Sequence, residues 1–168
     1  MREQRELLRH FLAALAYRTQ KALRNAPADF GSFRAGSQVR TPQELVCHMT
    51  SVLGYATTFF LGGRFRPELL ADLSAEVERF HETLRELARL VAETPVWPQV
   101  TPEQLLQGPL ADAMTHAGQL AMLRRLAGSP VAPENFVFAK VSTRNLGPDQ
   151  PLPAAPDKVW PEAPERSA

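Results

Sequence analysis

Apolar residues recur at helical spacing through most of the chain. Leu8, Phe11, Leu12, Leu15, Thr19, Ala22 and Leu23 share one face of a segment from about Arg2 to Asn25, which Pro27 stops. A second segment opens with "TPQE". Thr41 is placed as N-cap, Pro42 suits the first turn, and Glu44 completes a capping box. Its inward face reads Leu45, His48, Met49, Val52, Ala56 and Phe59, and Gly62-Gly63 ends it. A third segment begins at Pro67 or Ser74 and runs to Glu93, with Leu73, Val77, Phe80, Leu84, Leu87 and Val91 in register. "TPEQ" at Thr101 repeats the start signal, and Gly108-Pro109 soon interrupts the run. A short helical turn, a break and a fourth long helix to about Ala127 are expected, with Gly128 as its terminator. Four such helices predict an all-α, antiparallel four-helix bundle over residues 1–128.

Two stretches lack this period. The connection "PADFGSFRAGSQVR", on the order of 15 residues, is longer than bundle loops usually are and is a candidate functional loop. Residues 129–168 are rich in proline. "NFVFAKV" reads as a short strand or extended piece, and Phe136, Phe138, Val141 and Trp160 give it something to bury. An extended strap across the bundle to about Pro153 is expected, with a looser end.

Charge and composition narrow the partners. Nineteen basic and eighteen acidic residues leave a net charge of +1, so no basic excess points to nucleic acid. No run approaches the roughly 20 apolar residues that span a bilayer, and the N-terminal segment is amphipathic, unlike a signal peptide. The single cysteine, Cys47, excludes a disulfide within the chain and suits a reducing, cytoplasmic setting.

The candidate chemistry lies in polar residues on apolar faces. Asp112 and His116, in "DAMTHAGQL", are four residues apart; at about 400° of rotation they fall one turn apart on nearly one line, which continues to Leu120 and Leu123. His48 sits among Leu45, Met49 and Val52. Facing helices can bring the three groups together, and two imidazoles with a carboxylate suit zinc, nickel, iron or manganese, leaving a coordination position open. The alternative is that each polar group is separately hydrogen-bonded, and periodicity does not decide between the two. Gln119 is a candidate to orient a ligating histidine. Arg34 and Arg40, in the long loop, are candidates to receive an anionic substrate or thiol cofactor, against the alternative of solvated loop charges. Arg124 and Arg125 near a helix end suit its dipole. His10 and His81 read as edge or core residues. Tyr55, Phe59 and Phe60 read as core. Cys47 points about 100° away from His48 and has no basic neighbour on its own helical face to make it reactive.

"RTPQELVCHMTSVLGY" together with "DAMTHAGQLAMLRRLAG" resembles the DinB/YfiT-like superfamily of metal-binding four-helix bundles. The resemblance rests on a T-x-x-E-L-x-x-H start to the second helix, then an i, i+4 pair on the fourth followed by Gly-Gln and a Leu/Arg-rich turn. It implies His48 and His116 as metal ligands. Between them falls a position that is His in the commoner branch and Glu in the mycothiol-dependent isomerase branch; here it is Asp112, one methylene shorter than Glu. "NFVFAKVSTRNLGPDQP" is similar to the tail of one DinB-like subgroup. The resemblance further implies a homodimer acting on a small molecule: a transferase or isomerase in which a divalent metal activates a low-molecular-weight thiol, or a hydrolase using the same geometry. A non-catalytic, stress-related metal-binding or dimerising bundle is the alternative, since many members have no known activity.

Overall fold

The computed structural model describes residues 2–156. It is all-helical, and its capping signals are where the sequence puts them. Helix α1 spans Arg2–Leu23, α2 Pro42–Leu61, α3 Leu73–Glu93, α4 Pro102–Leu105 and α5 Ala111–Leu126. At the start of α2 the Thr41 hydroxyl accepts from the Glu44 amide while the Glu44 carboxylate accepts from the Thr41 amide at 2.7 Å. Thr101 and Gln104 repeat the arrangement at α4. These boxes satisfy amides that a helix end otherwise leaves open. Helix α3 starts at Leu73, not at Pro67: Asp72 is the cap, its carboxylate accepting from the Ala75 amide. An acid two residues before Ser74 provides the stronger N-terminal signal.

Between α4 and α5 the chain makes a wide π-type turn over Leu106–Leu110, where Gly108 leaves helical geometry (φ −95°, ψ −105°). Pro109 causes it, having no N–H to donate and a ring that crowds the preceding turn. The turn resets the phase of α5, and so decides which way Asp112 and His116 face. Helix α5 ends in a Schellman arrangement, with the Ser129 amide on the Arg124 carbonyl and Gly128 at φ +71°.

Each long helix packs against two others, α1 on α3 and α5, α2 on α3 and α5. The core between them holds Leu12, Leu15, Met49, Leu53, Phe80, Leu84, Leu87, Leu110 and Leu120, all nearly or fully buried. Burying a side chain of this size contributes roughly 1.5–3 kcal/mol. Gly54 lets the return loop approach α2. A Cβ there would lie 2.1 Å from the Phe65 ring, so any larger residue displaces that ring.

Residues 127–156 are largely irregular and lie against the helices. Leu146 joins the core, and its carbonyl accepts from Nδ1 of the buried His81 at 2.7 Å. The Arg24 guanidinium donates to the Gln150 and Pro151 carbonyls. The "NFVFAKV" stretch is a single 3-10 turn over Phe136–Phe138, and the bridge from Glu134 to Pro156 is isolated. Phe138 is 62% exposed, contrary to its expected burial. Phe136 instead is half-buried, edge-on to Tyr17 and beneath the Arg18 guanidinium at 3.9 Å. A Pro-flanked, non-repeating backbone has no period to hold successive aromatics on one side. Trp160 lies outside the described residues. Among the described residues no helix is long and apolar enough to cross a membrane.

Candidate metal centre

His48, Asp112 and His116 come together where α2 meets α5. Each offers one ligand atom, and these atoms all lie within 4.8 Å of one another. The two imidazole rings meet edge to face, with centroids 4.8 Å apart. Nε2 of His116 is 3.2 Å from Oδ1 of Asp112. A tetrahedral ion with bonds of about 2.0–2.1 Å needs its ligand atoms about 3.3 Å apart, so the α5 pair already has that spacing.

The cluster occupies the rim of the bundle, not its interior. His116 is buried, His48 half-buried, and Asp112 exposed. Asp112 therefore does not point inward as its register suggests. Four residues overshoot a full turn by about 40°, which carries the stripe from core to edge within one turn. Asp112 also stands in the first turn of α5, beside the kink.

Hydrogen bonding fixes what the His116 ring presents. Its Nδ1 lies 2.8 Å from the Gln119 side-chain oxygen, which can only accept, so this amide orientation goes with a proton on Nδ1. Nε2 then turns a lone pair toward a carboxylate. Two acceptors at this distance repel unless a cation stands between them. A proton would serve, giving an imidazolium–carboxylate pair, and so would a metal ion. The second imidazole favours the metal, since it brings a third ligand atom to the same point. Burial, helped by the positive charge of Arg40 and by the neighbouring His116 ring, holds the pKa of His48 below its ordinary value, with Asp112 working the other way. These surroundings favour the neutral imidazole of His48, the form that has a lone pair to give.

The remaining sequence candidates separate clearly. Gln119 meets the ring of His116 as described. Arg40 and Gln119 both line a cleft of about 690 Å³ beside the cluster. Arg34 instead lies 3.9 Å from Glu44 in an exposed pair. His10 is exposed and His81 fully buried. Tyr55, read as core, is 55% exposed and meets Phe59 edge-on. Cys47 has a basic neighbour after all, supplied by another helix: the Arg79 guanidinium is 3.5 Å from Sγ. The thiol pKa is still raised, chiefly by burial and then by Glu76, so Cys47 stays a neutral thiol.

Sequence reasoning missed the role of Arg124. It is 3% exposed, and its guanidinium donates to the carbonyls of Ala22, Arg24, Asn25 and Ser129 and to the Ser129 hydroxyl. It binds the end of α1 to the end of α5. The signal was available: 112, 116, 120 and 124 form one i, i+4 series. Its partners, being backbone carbonyls, leave no mark in the sequence.

Comparison with protein-family models, with curated proteins and with solved structures finds no match for the chain.

Proposed function

We propose that the protein is a DinB-like, metal-dependent enzyme whose divalent ion is held by His48, Asp112 and His116. The observation that carries this reading is Nε2 of His116 facing the Asp112 carboxylate at 3.2 Å while its Nδ1 is held by Gln119, with His48 beside them. Zinc or nickel suits two imidazoles and one carboxylate best, with iron or manganese also compatible.

When bound, the ion supplies Lewis-acid chemistry, lowering the pKa of a thiol or water at its open position. The chain's own residues do the rest. Gln119 holds the His116 ring so that Nε2 faces outward. Asp112 contributes the negative charge and, standing exposed, leaves the site open to solvent and substrate. The thiol branch of this reading requires an external low-molecular-weight thiol, since Cys47 is engaged with Arg79 and the Pro67 carbonyl.

The test is metal analysis of protein purified without a polyhistidine tag, followed by zinc titration of His48→Ala and Asp112→Ala. About one equivalent in the wild type and at least about 10-fold weaker binding in each variant are expected. Affinity unchanged in both variants would overturn the reading. Turnover of an electrophilic test substrate with and without added thiol then separates transferase from hydrolase.

A further inference from the structure

The cleft beside the metal cluster is lined by one charged side chain, Arg40, and by several apolar ones. Its first wall is α5. Gln119, which holds His116, lines it, and so do Met122, Leu123 and Leu126, one and two turns further along the same helix. Leu45 and Leu123 form a buried floor. Met122 and Leu126 form a lip, 51% and 57% exposed. The opposite wall is the long loop, which contributes Arg40.

Arg40 is close enough to the cluster that its charge acts on His48. Among the described residues its guanidinium makes no hydrogen bond or salt bridge, although its charge, like that of the paired Arg34, also acts on Glu44. An Arg beside a metal site offers a bidentate donor fork matched to a carboxylate. The apolar wall from Gln119 to Leu126 runs for about 10 Å along the helix. Large apolar side chains exposed on a concave wall fit a ligand better than they fit water.

From this juxtaposition we propose that the cleft takes the substrate of the metal centre, and that this substrate is an amphipathic organic monoanion. Its carboxylate sits on Arg40 beside the ion, and its aliphatic or aromatic body lies along Met122, Leu123 and Leu126. The inference rests on the metal reading for its chemistry and on the cleft alone for its binding. Selectivity then has two parts: Arg40 selects the charged head, and the length of the wall rejects short acids.

Calorimetry with octanoate, butanoate and octanamide on the full-length protein, with and without zinc, tests it. Octanoate is expected to bind, with butanoate at least about 10-fold weaker because four methylenes are lost from the wall. Arg40→Gln should weaken octanoate about 10-fold or more and leave octanamide unchanged. Leu126→Asp, a change at an exposed lip, should weaken both eight-carbon ligands. Zinc affinity should not fall in Arg40→Gln, since the substitution removes a positive charge that acts on His48. Absence of octanoate binding, equal affinity for butanoate, or an Arg40→Gln variant that binds octanoate as well as the wild type would each overturn the proposal. Zinc bound without octanoate would sink this inference alone. Octanoate bound on Arg40 by protein that takes up no zinc would sink the metal reading while leaving the cleft assignment standing.

Discussion

His81 and His116 present the same ring in two settings. Each has Nδ1 anchored on a carbonyl-type oxygen, Leu146 O for His81 and the Gln119 amide for His116. What differs is the far nitrogen. Nε2 of His81 is buried and meets no polar atom. Nε2 of His116 faces an exposed carboxylate and, beyond it, a second imidazole. An anchored buried histidine is therefore only a fastener. It becomes a candidate ligand when its free lone pair is aimed at other lone pairs. Where residues 127–156 dock, Arg124 and Tyr17, whose hydroxyl donates to Glu134, have partners within the chain, while Nε2 of His81 and Oε2 of Glu134 have none among the described residues. At the α2–α5 seam, three groups able to ligate a cation converge instead.

The sharpest way to break this comparison is to remove one group from each region. Arg124→Ala strips the carbonyls at the ends of α1 and α5 of a buried donor and leaves a void, and should cost about 3–4 kcal/mol of unfolding free energy by urea denaturation. Asp112→Ala, at an exposed position, should change the metal-free protein's stability by less than about 1 kcal/mol. A metal-free Asp112→Ala as damaged as Arg124→Ala would show the seam to be structural.

Next in size is a pH effect. Burial, only partly offset by its hydrogen bond to Leu146, lowers the pKa of His81 from 6.5 to about 4. Between those values the unfolded chain binds a proton that the folded chain refuses. Stability from this source is complete above pH 6.5 and is lost as the pH falls toward 4, by on the order of 3 kcal/mol. His81→Gln can still donate to Leu146 but cannot titrate, so its stability profile between pH 4 and 6.5 should be flatter than that of the wild type. An unchanged slope would place the acid sensitivity elsewhere.

Legibility in the sequence depends on which interactions leave a periodic trace. Helix starts were legible, because a capping box is local: Thr41 and Glu44 carry their partners with them. Leu12, Leu84 and Leu120 were, because burial follows the 3.6-residue period. The grouping of His48 with Asp112 and His116 followed once α2 and α5 were taken as neighbours. Its position at the rim did not, because the i, i+4 line reads as one inward face, whereas its drift of about 40° per step carries Asp112 to the edge. Arg79 beside Cys47, and the charge of Arg40 acting on His48, were hidden for a plainer reason: each belongs to another element, and a helical wheel shows only its own.

The smallest effect sharpens the comparison most. If His116 differs from His81 only in what stands opposite Nε2, then releasing Nδ1 should loosen the site without loosening the fold. Gln119 is exposed, so Gln119→Leu opens no cavity. It removes the acceptor that keeps the proton on Nδ1 and lets the ring present either nitrogen to Asp112. Zinc affinity should fall about 10-fold, with urea stability of the metal-free protein within about 0.5 kcal/mol of the wild type. Gln119→Glu keeps an acceptor on Nδ1, strengthens it with a charge, and should retain affinity within a few-fold. A purely structural Gln119 would give the reverse pattern, with stability shifted and zinc affinity unmoved in the leucine variant. Equal zinc affinity in the leucine and glutamate variants would mean that the tautomer is set by Asp112 itself. The carboxylate alone would then hold the ring, and His116 would need no anchor of the kind His81 has in Leu146.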